Sequence, residues 1–223
     1  MDPAERSNHD SFARQAGARL RAHWLAKALG ISLGMTAFFA AYFLLLRHPL
    51  FPVTIMPVTA IDRFVEFRPG ALAIYLSLWI YVPLGVGLLR DRRELYSHAL
   101  ASAAVSAIGL GIFLLWPTAV PPPGETWASG SAFSFLKAVD ATGNACPSLH
   151  VAFAVLTAIR LQRLLSEMGA TLFVKAANWL WCVGIVYSTL ATRQHVAFDA
   201  LAGAVLGGVV ELPRVFRARS RRV

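Results

Sequence analysis

Six apolar stretches divide the chain: 28–46, 71–89, 99–115, one opening at Ser148, 172–190 and 196–212. Each is about the length an α-helix needs to cross a hydrocarbon core of about 30 Å. Inside lipid, every backbone polar group must find its partner within the chain, so such stretches fold as helices or closed barrels. Runs of this length, without strict alternation of apolar and polar residues, favour helices. Only 15% of residues are charged and 57% are hydrophobic, against about 25% charged in soluble domains. The pattern predicts an all-α polytopic membrane protein, a bundle of six transmembrane helices.

The breaks between stretches are as informative. Residues 1–27 form a basic arm with Arg6, Arg14, Arg19, Arg21 and Lys27, in which Phe12, Ala16, Leu20 and Trp24 recur every four positions. That spacing predicts a short interfacial helix. Stretch 28–46 is too long for a signal-peptide core and lacks a small-residue cleavage site, so it reads as an uncleaved first span. Between residues 50 and 70, Ile55, Val58, Ile61 and Val65 fall at helical spacing among charges, which predicts a surface helix. Arg90-Asp91-Arg92-Arg93-Glu94 stops the second stretch. Pro117, Pro121, Pro122 and Pro123 open a polar loop reaching Ala145, the expected lid or substrate entrance. Arg160 and Arg163, late in the fourth stretch, are expected to snorkel to the interface. Residues 213–223 form a basic tail, leaving 28–212 as the membrane domain. Cys146 and Cys182 are too few for a disulfide framework and are expected as free thiols.

Orientation follows from the lysines and arginines. With the N-terminus in the cytoplasm, 16 of the 21 fall on that side, and only Arg47, Arg63, Arg68, Lys137 and Arg193 fall outside. Both termini are therefore expected inside, in the inner membrane. The formal charge of +9 then lies wholly along the cytoplasmic leaflet, where anionic lipid is the partner and no nucleic-acid surface is needed.

Two polar clusters interrupt this design on the outer side. Cys146-Pro147-Ser148-Leu149-His150 opens the fourth stretch, and Thr192-Arg193-Gln194-His195-Val196-Ala197-Phe198-Asp199 opens the sixth. On a helix, His195 and Asp199 are i,i+4 neighbours. A carboxylate there can fix the imidazole tautomer and leave the second nitrogen basic, as in an activated nucleophile or general base. The alternative is a helix-start ion pair without chemistry. In the six-helix topology His150 shares the outer depth of His195, and ionisable groups at such positions are functional by default. His9, His23, His48 and His98 do not converge on them and read as interfacial.

Pro147-Ser148-Leu149-His150 with Ser188, Thr192-Arg193-Gln194-His195 and Asp199 resembles the type-2 phosphatidic acid phosphatase superfamily over roughly residues 70–212. Within it the sequence is most similar to the branch containing inositol-phosphorylceramide synthases. The resemblance implies a six-helix enzyme cleaving phosphate esters through a phosphohistidine, with no metal or cofactor. It implies His195 as nucleophile, Asp199 as its orienting carboxylate and His150 as proton donor to the leaving alkoxide. Ser148, with the amides opening its helix, would hold phosphate oxygens, and Arg193 would neutralise transition-state charge. The sequence departs from the family at its third motif, where Ser188-Thr189 replaces Ser-Arg and the basic residue is Arg193. The first motif has no clean match, so Arg68, before Pro69, and Lys137 are its candidate phosphate ligands. Asp140 and Asn144 are expected to shape the loop or bind a polar acceptor.

Three functions are compatible with these residues. A lipid phosphatase would release phosphate from a lipid phosphate or polyprenyl diphosphate. A phosphotransferase would use the same histidines to move a phosphorylated headgroup to an alcohol. A non-catalytic protein would be a transporter or scaffold, or would use His150, His195 and Asp199 to bind metal or haem. Zinc is geometrically possible, although Arg193 would repel a cation two residues from His195.

Overall fold

The computed structural model describes residues 3–121 and 144–220, with side chains over 12–121 and 144–213. Lys137 and Asp140 lie outside the described residues. Among these, α1 spans Pro3–Arg21 and α2 Trp24–Arg47, β1 is Thr54–Ile55, and α3 Ala60–Phe64. After a 3-10 turn at Pro69–Ala71 come α4 (Leu72–Leu76), α5 (Leu78–Gly87) and α6 (Arg92–Leu115). The chain continues through β2 (Thr118–Ala119), α7 (Leu149–Glu167), α8 (Leu172–Ala191) and α9 (Ala197–Ser220).

Among the described residues, four helical stretches are long and apolar enough to cross a membrane: Trp24–Arg47, Pro69–Gly87, Arg92–Leu115 and Leu149–Glu167. Helices α8 and α9 form over the fifth and sixth apolar stretches but are not among those four. Lys175 and Asn178 dilute the first, while Asp199 and Glu211 interrupt the second. Side chains choose each start. Asp91 caps α6 by accepting from the Glu94 amide, and Thr171 caps α8 by accepting from Val174. An oxygen acceptor at this position satisfies an amide that the helix itself cannot.

Helix α7 is the centre of the bundle. Of its apolar window 61% is buried, against 6% for α2, which lies at the periphery. One face of α7 packs Leu149, Ala152 and Leu156 against Ala101, Val105 and Phe113 of α6 and Val210 of α9. Another packs Ala154, Ala158 and Leu161 against Leu78 and Tyr81 of α5 and Ile185 of α8. Its closest approach is to α9. A Cβ on Gly203 would collide with the Ser148 carbonyl, and one on Gly207 with the Ala152 carbonyl. Glycine at both positions lets the two backbones touch, as small residues do where helices associate in lipid.

Three expectations change. The surface helix between residues 50 and 70 is a single short turn, Ala60–Phe64. Pro52, Pro57 and Pro69 break the remainder, and Thr54–Ile55 instead pairs in parallel with Thr118–Ala119. The second span is helical but broken at Ser77, between α4 and α5. Arg160 does not snorkel: it is 2% exposed and grips Glu211 of α9 through two bonds of 2.7 Å. Pairing neutralises the buried guanidinium where water is out of reach, while its Nη1 has no hydrogen-bond partner among the described residues. Both thiols are free, as expected, and both are buried.

Helix α1 is docked as well as amphipathic. Phe12 and Ala16 join the core beside α5 and α7. Lys27 Nζ donates to the carbonyls of Arg19 at 2.6 Å and Gly87 at 2.7 Å, joining the ends of α1 and α5.

Candidate active site

The site is built where α8 ends and α7 and α9 begin. At the end of α8, Thr192 donates its amide to Ser188, while the amides of Gln194 and His195 both reach the Thr189 carbonyl at 3.1 Å. Arg193 takes the left-handed conformation, φ 57°, which costs a non-glycine residue on the order of 1 kcal/mol or more. Its guanidinium offsets that cost by donating Nη1 to the Asp62 carbonyl and Nη2 to the Val65 carbonyl at 2.7 Å. The turn presents His195 two residues ahead of α9, rather than within the helix as the i,i+4 spacing suggested. Its Nδ1 nonetheless lies 3.7 Å from Asp199 Oδ2.

Asp199 is fully buried in the first turn of α9. Its Oδ2 accepts from the Val196 amide at 3.1 Å. Among the described residues Asp199 Oδ1 and His195 Nδ1 have no hydrogen-bond partner. A separation of 3.7 Å is ionic contact short of a hydrogen bond, and such pairs tighten when substrate binds. Nδ1 facing the carboxylate leaves Nε2 as the nitrogen available for chemistry.

His150 lies in the first turn of α7, close enough to His195 for the charges of the two rings to interact. Its Nε2 sits 3.1 Å from the Tyr75 carbonyl, and the Tyr75 ring stacks on the imidazole at 4.0 Å and 12°. Ser148 is fully buried and caps α7, its Oγ accepting from the Val151 amide at 3.2 Å. The Ser148 amide is engaged by the Asp199 carbonyl. The structure thus brings together His150, His195, Asp199 and Ser148.

Arg193 and Arg68 stand differently. The two terminal nitrogens of Arg193 bond to backbone carbonyls, which fixes the turn carrying His195. Arg68 is exposed and pairs with Glu66 at 2.9 Å, while its amide bonds to Ala191 at the end of α8. It lines a concavity with Ile74 and Tyr187. Asn144 bridges to Thr118 and donates to the Tyr42 carbonyl, a loop-shaping role.

Sequence reasoning missed Asp62 and Tyr75, and the closeness of Cys146 to Asp199. Asp62 Oδ1 accepts from the Ala197 amide, the first residue of α9, at 2.7 Å, while Oδ2 accepts from Thr59. One buried carboxylate therefore caps α3 and the helix that carries Asp199. Cys146 lies beside Asp199. Burial, and then the carboxylate, push its thiol up to about 11. Among the described residues no three His, Cys, Asp or Glu side chains form a group with metal-binding geometry.

Apolar helices of membrane-crossing length mark a membrane protein. The profile of the PAP2 superfamily matches residues 67–211, and the chain belongs to that superfamily. No curated protein and no solved structure gives a significant match.

Proposed function

We propose that this chain is an integral-membrane lipid phosphatase that hydrolyses a lipid phosphate or polyprenyl diphosphate through a phosphohistidine. The observation that carries the reading is His195, backed by Asp199 at 3.7 Å, beside a second histidine at the start of the neighbouring helix. His195 Nε2 attacks phosphorus as the bond to the leaving oxygen breaks. His150 gives that oxygen a proton, so the alcohol leaves neutral. Asp199 stabilises the imidazolium that forms. Water then gives a proton to His150 and attacks phosphorus, the P–N bond breaks, and phosphate departs. Charge on the phosphoryl group is met by the amides opening α7, by helix dipoles directed at the same point, and by Arg68 and Lys137. The half-buried Arg193 charge near His195 adds to that field.

The site belongs on the extracytoplasmic side of the cell membrane, in a bundle of six spans with both termini cytoplasmic. The excess of basic residues on the opposite side supports this orientation. The resemblance to the inositol-phosphorylceramide synthase branch makes an alcohol acceptor the alternative to water. The test is to incubate purified protein with ³²P-labelled lipid phosphates in EDTA, with and without alcohol acceptors. Free phosphate supports the phosphatase, and a new labelled lipid would replace it with a transferase. No product from any lipid phosphate, with no labelled histidine, would end the enzymatic reading.

A further inference from the structure

The carbonyl of Tyr75 lies in the last turn of α4. The chain breaks at Ser77 before resuming as α5, and Ser77 Oγ turns back to the Ile74 carbonyl at 2.6 Å. The Tyr75 oxygen faces α7, where His150 Nε2 meets it at 3.1 Å. A carbonyl oxygen only accepts hydrogen bonds. Nε2 must therefore carry a hydrogen whether the ring is neutral or charged, and the proton that comes and goes resides on Nδ1. The side chain of the same tyrosine lies flat against the imidazole, 12° from parallel with centroids 4.0 Å apart. That contact removes the ring's freedom to turn about χ2.

We infer that Tyr75 is a positioning residue that commits His150 to shuttling protons through Nδ1, so that the two histidines of the site work through opposite nitrogens. The inference rests on the phosphatase reading. His195 has its Nδ1 toward Asp199 and reacts through Nε2. His150 has its Nε2 held by backbone and exchanges its proton through Nδ1. In the first half-reaction the proton on His150 Nδ1 passes to the leaving alkoxide as the P–O bond breaks and the P–N bond forms at His195. In the second, Nδ1 takes a proton from water while the oxygen of that water displaces His195 from phosphorus.

Leaving-group dependence separates this role from a structural one. The rate of phosphoenzyme formation is measured in single turnovers with an alkyl lipid phosphate and with p-nitrophenyl phosphate, whose leaving group needs no proton. Tyr75→Leu keeps the carbonyl but removes the stacked ring. It should slow the alkyl substrate on the order of 10- to 100-fold while leaving the nitrophenyl substrate within about threefold. Tyr75→Phe keeps the ring and should restore the wild-type ratio of the two rates. Equal losses on both substrates, or an unchanged ratio in Tyr75→Leu, would overturn the inference. A second measurement needs no activity. In ¹⁵N-histidine-labelled protein, the signals absent from His150→Gln should show a neutral ring with pyrrole-like Nε2 and pyridine-like Nδ1. The reverse tautomer would refute the assignment even where phosphatase activity is present. The expected tautomer without phosphohistidine at His195 would instead fault the functional reading.

Discussion

The amide of Ser148 donates to the carbonyl of Asp199 at 3.0 Å. One hydrogen bond thus fastens the cap of the helix bearing His150 to the residue that backs His195. Because the bond is between backbones, it survives substitution of either side chain. The charge of Asp199 can therefore be altered with little disturbance of the frame.

Asp199→Asn keeps an oxygen for the Val196 amide but removes the charge facing His195 Nδ1. Turnover should fall on the order of 10⁴-fold, as when a triad carboxylate is neutralised, with little change in thermal midpoint. His195→Ala should leave no labelled phosphoenzyme at all. Rapid-quench labelling with a lipid phosphate checks both, and a substantial burst from His195→Ala would remove it as the nucleophile.

Asp62 was not foreseen, yet its carboxylate caps two helices at once. Asp62→Ala orphans the amides of Ala197 and Thr59 and should lower stability by on the order of 2 kcal/mol. Activity should fall with it, because α9 loses the cap that aims Asp199. Asp62→Asn, which keeps an acceptor, should recover part of both. Thermal unfolding in detergent and turnover measured side by side test the coupling.

The Arg160–Glu211 pair joins α7 to α9 deep in the bundle. Arg160→Met alone strands a buried carboxylate and should cost about 3–5 kcal/mol. The double change Arg160→Met with Glu211→Leu should recover most of that loss. A double variant no more stable than the single would show that the pair does more than neutralise itself.

Cys146 gives a pH signature. Its folded thiol titrates at about 11, against 9.0 for an unperturbed one. Between those values the unfolded chain releases the proton and the folded chain keeps it. Stability contributed by the neutral thiol is therefore intact below pH 9 and lost as pH rises toward 11. Since the thiolate is the reactive form, maleimide at neutral pH should modify the unfolded protein and spare Cys146 in the native one. Rapid native labelling would contradict its burial.

Much of this was legible in the sequence, and the reason is local. Apolar length announces a helix, and Ser148 and Asp199 announce helix starts, because those signals lie within one turn of chain. The relationships that were missed join distant segments. Tyr75 meets His150 across 75 positions, and Asp62 meets Ala197 across 135. The error over Arg160 has the same origin: its partner stands 51 residues away, and without it a basic residue near a span end reads as snorkelling. Helical spacing between residues 50 and 70 misled because three prolines outweigh a periodic pattern of four apolar residues.

The glycine seam between α7 and α9 bears on what the site tolerates. Gly203 and Gly207 rest on the carbonyls of Ser148 and Ala152, where a single added Cβ would strike backbone. An alanine at either position meets no flexible neighbour to push aside, so the two helices would have to part, carrying the start of α7 with His150 away from the turn with His195. The spacing of the reacting groups is thus set by two side chains that are missing.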